Sequence, residues 1–299
     1  MINKMKGNIL LLITAVVWGI SFVAQSSGMD YVEPNTFIGI RTLLGGIVLL
    51  PVIAVTDAGK KKNGTYQKIN WKKLLLYGSI CGLCLWAAST LQTYGLAAGI
   101  SAGESGFITA LYIIFVAVFG VFAGRNLSGK IISGVFLAMV GMYFLCLFGN
   151  GFTLSSGHLI TLICAVIFSI HILVIDKFSP QADGVKLSCT QFFVAGVLGC
   201  IAMFLTESPE WSAICSCWLQ IGYAGIMSCG VAYTLQIIGQ KYTDPTSASI
   251  LMSLESVFSA LSGWALLGQS MSFPQIVGCV LMFSAIVLVQ LPDKKGILA

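Results

Sequence analysis

The stretch PTSASILMSLESVFSALSGWALL, from Pro245 to Leu267, decides the class of fold. About 20 mostly apolar residues are enough for a helix to cross the hydrocarbon core of a bilayer. This stretch has that length, and it carries one carboxylate, Glu255, near its middle. An ionisable side chain at such a depth faces protein or water and is a functional hypothesis by default. The segment therefore predicts a membrane helix with a functional carboxylate.

The composition extends this interpretation to the whole chain. Of the 299 residues, 57% are hydrophobic and 9% are charged, whereas a soluble globular protein carries about 25% charged residues. Long apolar runs dominate, which argues against a soluble enzyme, and ten of them reach spanning length. The predicted fold class is an all-α membrane protein with ten transmembrane helices. The predicted spans are 8–27, 35–55, 74–97, 102–123, 131–149, 157–175, 186–206, 218–238, 246–267 and 274–291.

The lysine and arginine residues predict the topology. They lie before span one, in every second connection and after span ten, which accounts for all 16 of them except Arg41, inside span two. None of the other connections carries a lysine or arginine, and two of them hold the acidic residues Asp30, Glu33, Glu207 and Glu210. Such alternation is the positive-inside pattern. It predicts that the N and C termini are both cytoplasmic.

The chain also repeats itself. The sequence TLQTYG at Thr90–Gly95 returns as TLQIIG at Thr234–Gly239, 144 residues later (234 − 90). Nearer the start, AVVWGISFV at Ala15–Val23 returns as AVIFSIHIL at Ala165–Leu173, 150 residues later (165 − 15). The longer lysine-rich connection of the first half accounts for the difference between the two offsets. The sequence therefore predicts two related halves.

Each predicted half, residues 1–150 and residues 151–299, crosses the membrane five times. Two units with an odd number of crossings insert in opposite orientations, which gives an inverted repeat. Secondary transporters built in this way place the substrate site near the membrane midplane, between the repeats. A transport site is therefore expected where the two halves meet.

Several segments are similar to a known family. WGISF at Trp18–Phe22, the intramembrane Arg41, LMSLESVFSALSGWALLGQ at Leu251–Gln269 and the spaced glycines of spans five and ten resemble the drug/metabolite transporter superfamily, with halves like EamA-type repeats. The resemblance implies ten helices around a central cavity, and export or exchange of small metabolites, often amino acids. The chain departs from the family pattern at Ser256, where a proline often follows the glutamate of span nine.

Two intramembrane charges are the main candidates for the site. Glu255 is either a packing carboxylate with a permanent hydrogen-bond donor, or a cavity carboxylate that binds an ammonium group or carries a proton. Arg41 either has a structural role near the end of span two or contacts an anionic substrate group. The sequence leaves open whether the two residues pair with each other.

Uncharged polar and aromatic side chains complete the predicted site. Gln92 and Gln236 occupy equivalent positions in the two halves, and because amides in hydrocarbon need partners, both are expected to face inward. His171 is either a packing residue or a proton relay. Aromatic side chains away from the membrane surface can hold an apolar or cationic substrate by stacking or cation–π contact. The predicted substrate-binding residues are Glu255, Arg41, Trp18, Gln92, Gln236, Tyr112, His171, Trp86 and Tyr233.

These features predict a secondary transporter that exports or exchanges small organic metabolites, amino acids or related compounds, by alternating access. Proton coupling through Glu255 and exchange without protons both stay open. The alternatives are a facilitative channel and an intramembrane lipid-modifying enzyme. Such an enzyme needs an acidic pair with a metal, or a nucleophile with a base, and the predicted spans contain no acidic pair. No ATP-binding motif occurs, so direct ATP drive is not expected.

The expected partners are a small-molecule substrate, membrane lipid and, for the proton-coupled alternative, protons. Nucleic acid is not expected, because the net charge of +5 follows from the topology. No cofactor or metal is expected. The chain is predicted to be a multi-pass protein of the plasma or inner membrane, as a monomer or a homodimer.

Overall fold

The computed structural model describes residues 2–66, 68–124, 128–146, 155–267 and 272–290, and within these ranges it contains helices and no strand. The first half contains α1 (Ile2–Gly28), α2 (Pro34–Lys62), α3 (Trp71–Ala97), α4 (Ala102–Ala110), α5 (Tyr112–Phe122) and α6 (Gly129–Cys146). The second half contains α7 (Ser156–Phe178), α8 (Gly184–Thr206), α9 (Trp211–Ser216), α10 (Trp218–Gly222), a π-helix (Tyr223–Tyr233), α11 (Thr234–Gln240), α12 (Pro245–Met252), α13 (Glu255–Leu267) and α14 (Phe273–Gln290).

Eight helical stretches of the described residues are long and apolar enough to cross a membrane. They coincide with predicted spans one to four and six to nine. The helices α6 and α14 coincide with predicted spans five and ten, and their apolar parts, Gly129–Gly141 and Phe273–Ala285, are shorter. The prediction of an all-helical, multi-pass membrane protein is confirmed. The count of ten crossings stays a prediction.

Two of the predicted spans are broken at their centres. Span four consists of α4 and α5, separated at Leu111, and span nine consists of α12 and α13, separated at Ser253 and Leu254. At these points the α-helical hydrogen bonds give way to shorter-range ones. Leu111 N–H donates to Ile108 O at 3.2 Å, and Ser256 N–H donates to Ser253 O at 3.2 Å. The long apolar runs gave no sign of these tight turns, which the structure adds to the sequence prediction.

The π-helix interrupts predicted span eight. It covers 11 residues between α10 and α11, whereas α3, at the equivalent place in the first half, is an unbroken helix of 27 residues. π-helical turns are rare and occur frequently at functional sites. Span eight therefore differs from its counterpart in backbone geometry as well as in sequence.

The helices α2 and α8 pack against each other along the bundle. The C-terminal end of α2 meets the start of α8, where Lys60 pairs with Asp183. A Cβ at Gly199 would stand 2.9 Å from the Cα of Gly39, so the two backbones approach as closely as only glycine allows. The two helices are therefore antiparallel. Elsewhere α6 packs on α14, α3 packs on α7 and α8, and α1 packs on α13 and the π-helix.

The cationic connections gather at one end of the bundle. Lys60 pairs with Asp183, Lys186 Nζ lies 2.7 Å from Asp57 Oδ1, and Lys241 Nζ donates to Ala182 O. These contacts join the C-terminal end of α2 with the connection before α8 and the connection after α11. We call this the lysine-bearing end.

The opposite end is held together by a carboxylate. Glu207, which follows α8, accepts hydrogen bonds from the backbone N–H groups of Asn35 and Thr36 and from Thr36 Oγ1, each at 2.7 Å. These N–H groups belong to the first turn of α2, where a negative charge is favourable. We call this the lysine-free end.

Candidate functional site

A narrow cavity lies between the helices of the bundle, beside the breaks in both spans. The centre of a water molecule can occupy about 30 Å³ of it; one water needs about 10–15 Å³ measured in this way, so there is room for about two. Every lining residue is at most 9% exposed, and a cavity of this volume is too small for a metabolite unless helices move apart. The lining residues are Trp18, Ser21, Phe22, Gln25, Arg41, Gln92, Thr109, Tyr112, Phe168, Ser228, Tyr233 and Glu255.

Glu255 is the first residue of α13, directly after the break in span nine. Its side chain is buried, and within the described part of the chain its Oε1 has no hydrogen-bond partner. The Tyr112 hydroxyl lies close to the carboxylate, but it too makes no hydrogen bond of normal geometry with the described residues. The N-terminal end of a helix favours a negative charge. The carboxylate is thus held in the cavity with an oxygen available to a ligand.

A hydrogen bond joins the two broken spans next to this carboxylate. Ser256 Oγ donates to Gly106 O of α4 at 3.0 Å, and residue 106 stands only a turn before the break at Leu111. The proline that resembling proteins often carry at this position could not make this bond, because its side chain has no donor. The departure from the family pattern therefore fixes the two breaks to each other.

Arg41 reaches the same cavity from α2. Its guanidinium lies 5.5 Å from the centre of the Phe37 ring, and the residue is 2% exposed. Its Nε has no hydrogen-bond partner among the residues described, and the ion pairs found between them do not include one with Glu255. The cavity is therefore lined by one basic and one acidic side chain that do not pair with each other.

Uncharged side chains fill the wall between these two charges. Trp18 and Tyr233 contact each other with ring centres 4.6 Å apart, and Gln92 Nε2 donates to Thr109 Oγ1 at 3.1 Å. The indole N–H of Trp18 has no acceptor among the described residues. The wall thus offers aromatic faces and a hydrogen-bond donor to a bound molecule.

Three residues of the predicted site lie outside the cavity lining in this conformation. His171 is fully buried and forms a 3.1 Å hydrogen bond through Nε2 with Gln191 Oε1. Gln236 is buried in α11, and Trp86 is partly buried against the main hydrophobic core. The other six predicted residues line the cavity together.

Six of the twelve residues that line the cavity were not predicted from the sequence. Ser21 and Gln25 follow Trp18 by three and seven positions, so helical spacing places all three on one face of α1, and this signal was present in the sequence. Phe168 stands 150 residues after Trp18 and was also detectable from the repeat. Ser228 carried no signal, because its direction depends on the π-helix. The lining residues not predicted are Ser21, Phe22, Gln25, Thr109, Phe168 and Ser228.

Comparisons with known proteins agree with the fold described above. The model of the EamA-like transporter family matches residues 5–147 and, separately, residues 155–291. An "Uncharacterized transporter" of Archaeoglobus fulgidus is 28% identical over 292 residues, which cover 97% of this chain and 87% of the relative. The "Uncharacterized inner membrane transporter YicL" of Salmonella typhimurium is 23% identical over 97% of each chain. A solved structure with 20% identity aligns with a TM-score of 0.77 over 95% of this chain and 98% of the other, which shows the fold.

Proposed function

This chain belongs to the EamA-like transporter family, and we propose that it is a secondary transporter that exports or exchanges small organic metabolites by alternating access. Amino acids or related compounds are the proposed substrates. One observation carries the proposal: a buried cavity beside two broken helices is lined by Arg41 and Glu255, and the described residues show no ion pair between them. Secondary transporters typically form their substrate sites from discontinuous helices near the midplane.

The proposed architecture is a pair of inverted five-helix repeats, residues 1–150 and 151–299, with ten crossings. The two separate matches to the family model support this division. Corresponding helices also keep the offsets seen in the sequence: α2 begins 150 residues before α8, and α6 lies 144 residues before α14 at both ends. The antiparallel packing of α2 on α8 supports opposite orientations of the halves.

The proposed orientation places the lysine-bearing end and both termini in the cytoplasm. The positive-inside pattern supports it, and the structure brings lysines of three connections together at that end. The proposed location is the plasma or inner membrane, in line with the name of the relative YicL.

In the proposed mechanism the two charges hold opposite ends of the substrate. Arg41 binds an anionic group, and Glu255 binds an ammonium group or carries a proton in its place. Trp18 and Tyr233 enclose the part between them. Because the observed cavity has room for about two waters, it has to widen before a substrate binds, and opening at either end in turn admits or releases the substrate.

The test is counterflow in liposomes. The purified protein is reconstituted with an unlabelled amino acid, amine or nucleoside inside, and uptake of the labelled compound is measured. We expect saturable counterflow for at least one compound, and a loss of about 30-fold in the initial rate for Glu255→Gln, because losing a buried charge partner costs about 2 kcal/mol or more. Glu210→Gln, at an exposed carboxylate outside the cavity, is the matched control.

The same assay separates the alternatives. A channel passes labelled substrate without acceleration by unlabelled substrate on the other side, and an intramembrane enzyme changes the lipid or the compound itself, which mass spectrometry of the vesicles detects. Equal counterflow at every pH in wild type and Glu255→Gln would remove Glu255 from the mechanism.

A further inference from the structure

The counterparts of two cavity residues form a second polar pair in the other half. An offset of 150 residues pairs Ser21 with His171 and Arg41 with Gln191. Arg41 stands seven residues into α2 from the lysine-free end, and Gln191 stands seven residues into α8 from the lysine-bearing end. At 1.5 Å per residue, both lie about 10 Å from the start of their helices. The two pairs therefore occupy equivalent depths, measured from opposite ends.

The first pair faces the cavity and the second does not. Ser21 and Arg41 belong to the lining. His171 and Gln191 are both 0% exposed and bond to each other. Within the described residues, this second pair keeps one unpartnered atom on each side chain, Nδ1 of His171 and Nε2 of Gln191. A buried polar group without a partner costs about 1–3 kcal/mol of folding free energy. Two such groups side by side therefore require an explanation.

A thin aromatic wall separates this second pair from the cavity. The His171 ring centre lies 6.4 Å from that of Phe168 and 6.2 Å from that of Tyr233, and both of these rings line the cavity. Tyr233 is the last residue of the π-helix. A change of helical register in that segment would turn the ring and open the wall, because π- and α-helices advance by different angles per residue.

We propose that His171 and Gln191 line the lysine-bearing half of the substrate pathway and become reachable from that end when the cavity opens toward it. The proposal rests on the proposed function, in which two inverted repeats exchange conformations between the two states. In the second state His171 and Gln191 take the place that Ser21 and Arg41 have in the first. They offer the substrate a neutral acceptor and a neutral donor, where Arg41 offers a positive charge.

Sided cysteine labelling tests this placement. Ser21→Cys and His171→Cys are made separately, and a charged, membrane-impermeant thiol reagent is added to either side of oriented vesicles. Peptide mapping assigns each label, so native cysteines do not interfere. We expect position 21 to react from the lysine-free side and position 171 from the lysine-bearing side. Ile170→Cys, at the neighbouring position of α7, is exposed on the outside of the bundle. In the proposed arrangement lipid covers this position, so it is the control and should react from neither side.

The expected rate at position 171 follows from the population of the open state. Minor states of two-state proteins are populated at about 0.1–10%, so the label should enter about 10- to 1,000-fold more slowly than at a freely exposed cysteine. Lys62→Cys, exposed at the lysine-bearing end, supplies that reference. Labelling of position 171 from the lysine-free side, or from neither side in a folded protein, would overturn the proposal.

Wild-type protein provides a second measurement that needs no substitution in α7. The chain has two histidines, His158 and His171, and peptide mapping after treatment with diethyl pyrocarbonate separates them. We expect slow modification of His171 in the folded protein in membranes. If His171 stays unmodified under repeated additions of the reagent over a time about 1,000-fold longer than the unfolded chain needs to react, the proposal is wrong, even where His171→Cys fails to fold.

Neither measurement depends on a known substrate, so the two proposals fail separately. If counterflow is observed but position 171 cannot be labelled, the proposal for His171 and Gln191 is rejected and the proposed transport function is retained. Sided labelling of both positions without flux of any tested compound keeps the pathway and rejects the proposed substrates.

Discussion

The two broken spans have the same kind of break in the backbone, but different side chains follow it. The break in span four is followed by Tyr112, and the break in span nine by Glu255. At the repeat offset of 144 residues, the sequence counterpart of Glu255 is Leu111 (255 − 144), which does not line the cavity. Likewise Arg41 has an amide, Gln191, as its counterpart. The two halves thus share a backbone arrangement but not the ionisable side chains of the cavity. Arg41 comes from the first half and Glu255 from the second.

Moving the carboxylate between the two breaks gives the largest expected effect. In Glu255→Gln, counterflow should fall by about 30-fold. Adding Tyr112→Glu should restore part of it, because Tyr112 lines the same cavity beside residue 255. Adding Leu111→Glu should restore nothing, although it is the sequence counterpart. If Leu111→Glu restored counterflow and Tyr112→Glu did not, the equivalent position in the repeat, and not the lining of the cavity, would decide where the carboxylate acts.

The next test replaces the arginine of the first half by the amide found at the equivalent position of the second half. Arg41→Gln copies the residue at Gln191, and we expect the counterflow rate for substrates with an anionic group to fall by about 30-fold, since a buried charged contact is worth about 2 kcal/mol or more. Arg41→Lys keeps the charge but not the planar donor pattern and should lose less. Lys72→Gln, at an exposed lysine, is the control. Equal rates in Arg41→Gln and wild type would leave Arg41 with a packing role.

The starts of α2 and α8 give a comparison in stability. Glu207 accepts three hydrogen bonds at the start of α2, so Glu207→Ala should lower the free energy of unfolding by about 2–3 kcal/mol. Asp183 caps its own helix through the N–H groups of Val185 and Lys186, and Asp183→Ala should cost about 1 kcal/mol. Thermal unfolding in detergent measures both. A larger loss for Asp183→Ala would contradict the ranking.

The contribution of Asp183 should also depend on pH. Burial alone would raise the pKa of Asp183, but hydrogen bonds from Lys60 and from the backbone of Lys186 outweigh it and hold the pKa below the ordinary 3.8. A carboxyl group with a lowered pKa contributes its stability above the unfolded-state pKa and loses it as the pH falls through the folded one. The difference between wild type and Asp183→Asn should therefore be full at neutral pH and shrink in acid, below pH about 4.

The membrane class and most span boundaries could be predicted from the sequence because a bilayer imposes its own length on apolar segments. Every backbone polar group in lipid must be satisfied within the chain, so an apolar run of sufficient length has one structural solution. The same reasoning missed the breaks at Leu111 and Ser253. There the hydrogen bonds change over a single turn, and hydropathy does not report a change of that size.

The sequence by itself determined that helices cross a membrane, that lysines mark one end, and that Glu255 and Arg41 lie within apolar spans. Hydrophobicity and charge are properties of each residue, and lipid responds to them segment by segment. Only the tertiary structure decided that these two charges share a cavity without pairing, while His171 lies behind its aromatic wall. Which side chains meet depends on helix rotation, on the contact between Gly39 and Gly199, and on the π-helix, and these follow from packing between segments far apart in the chain.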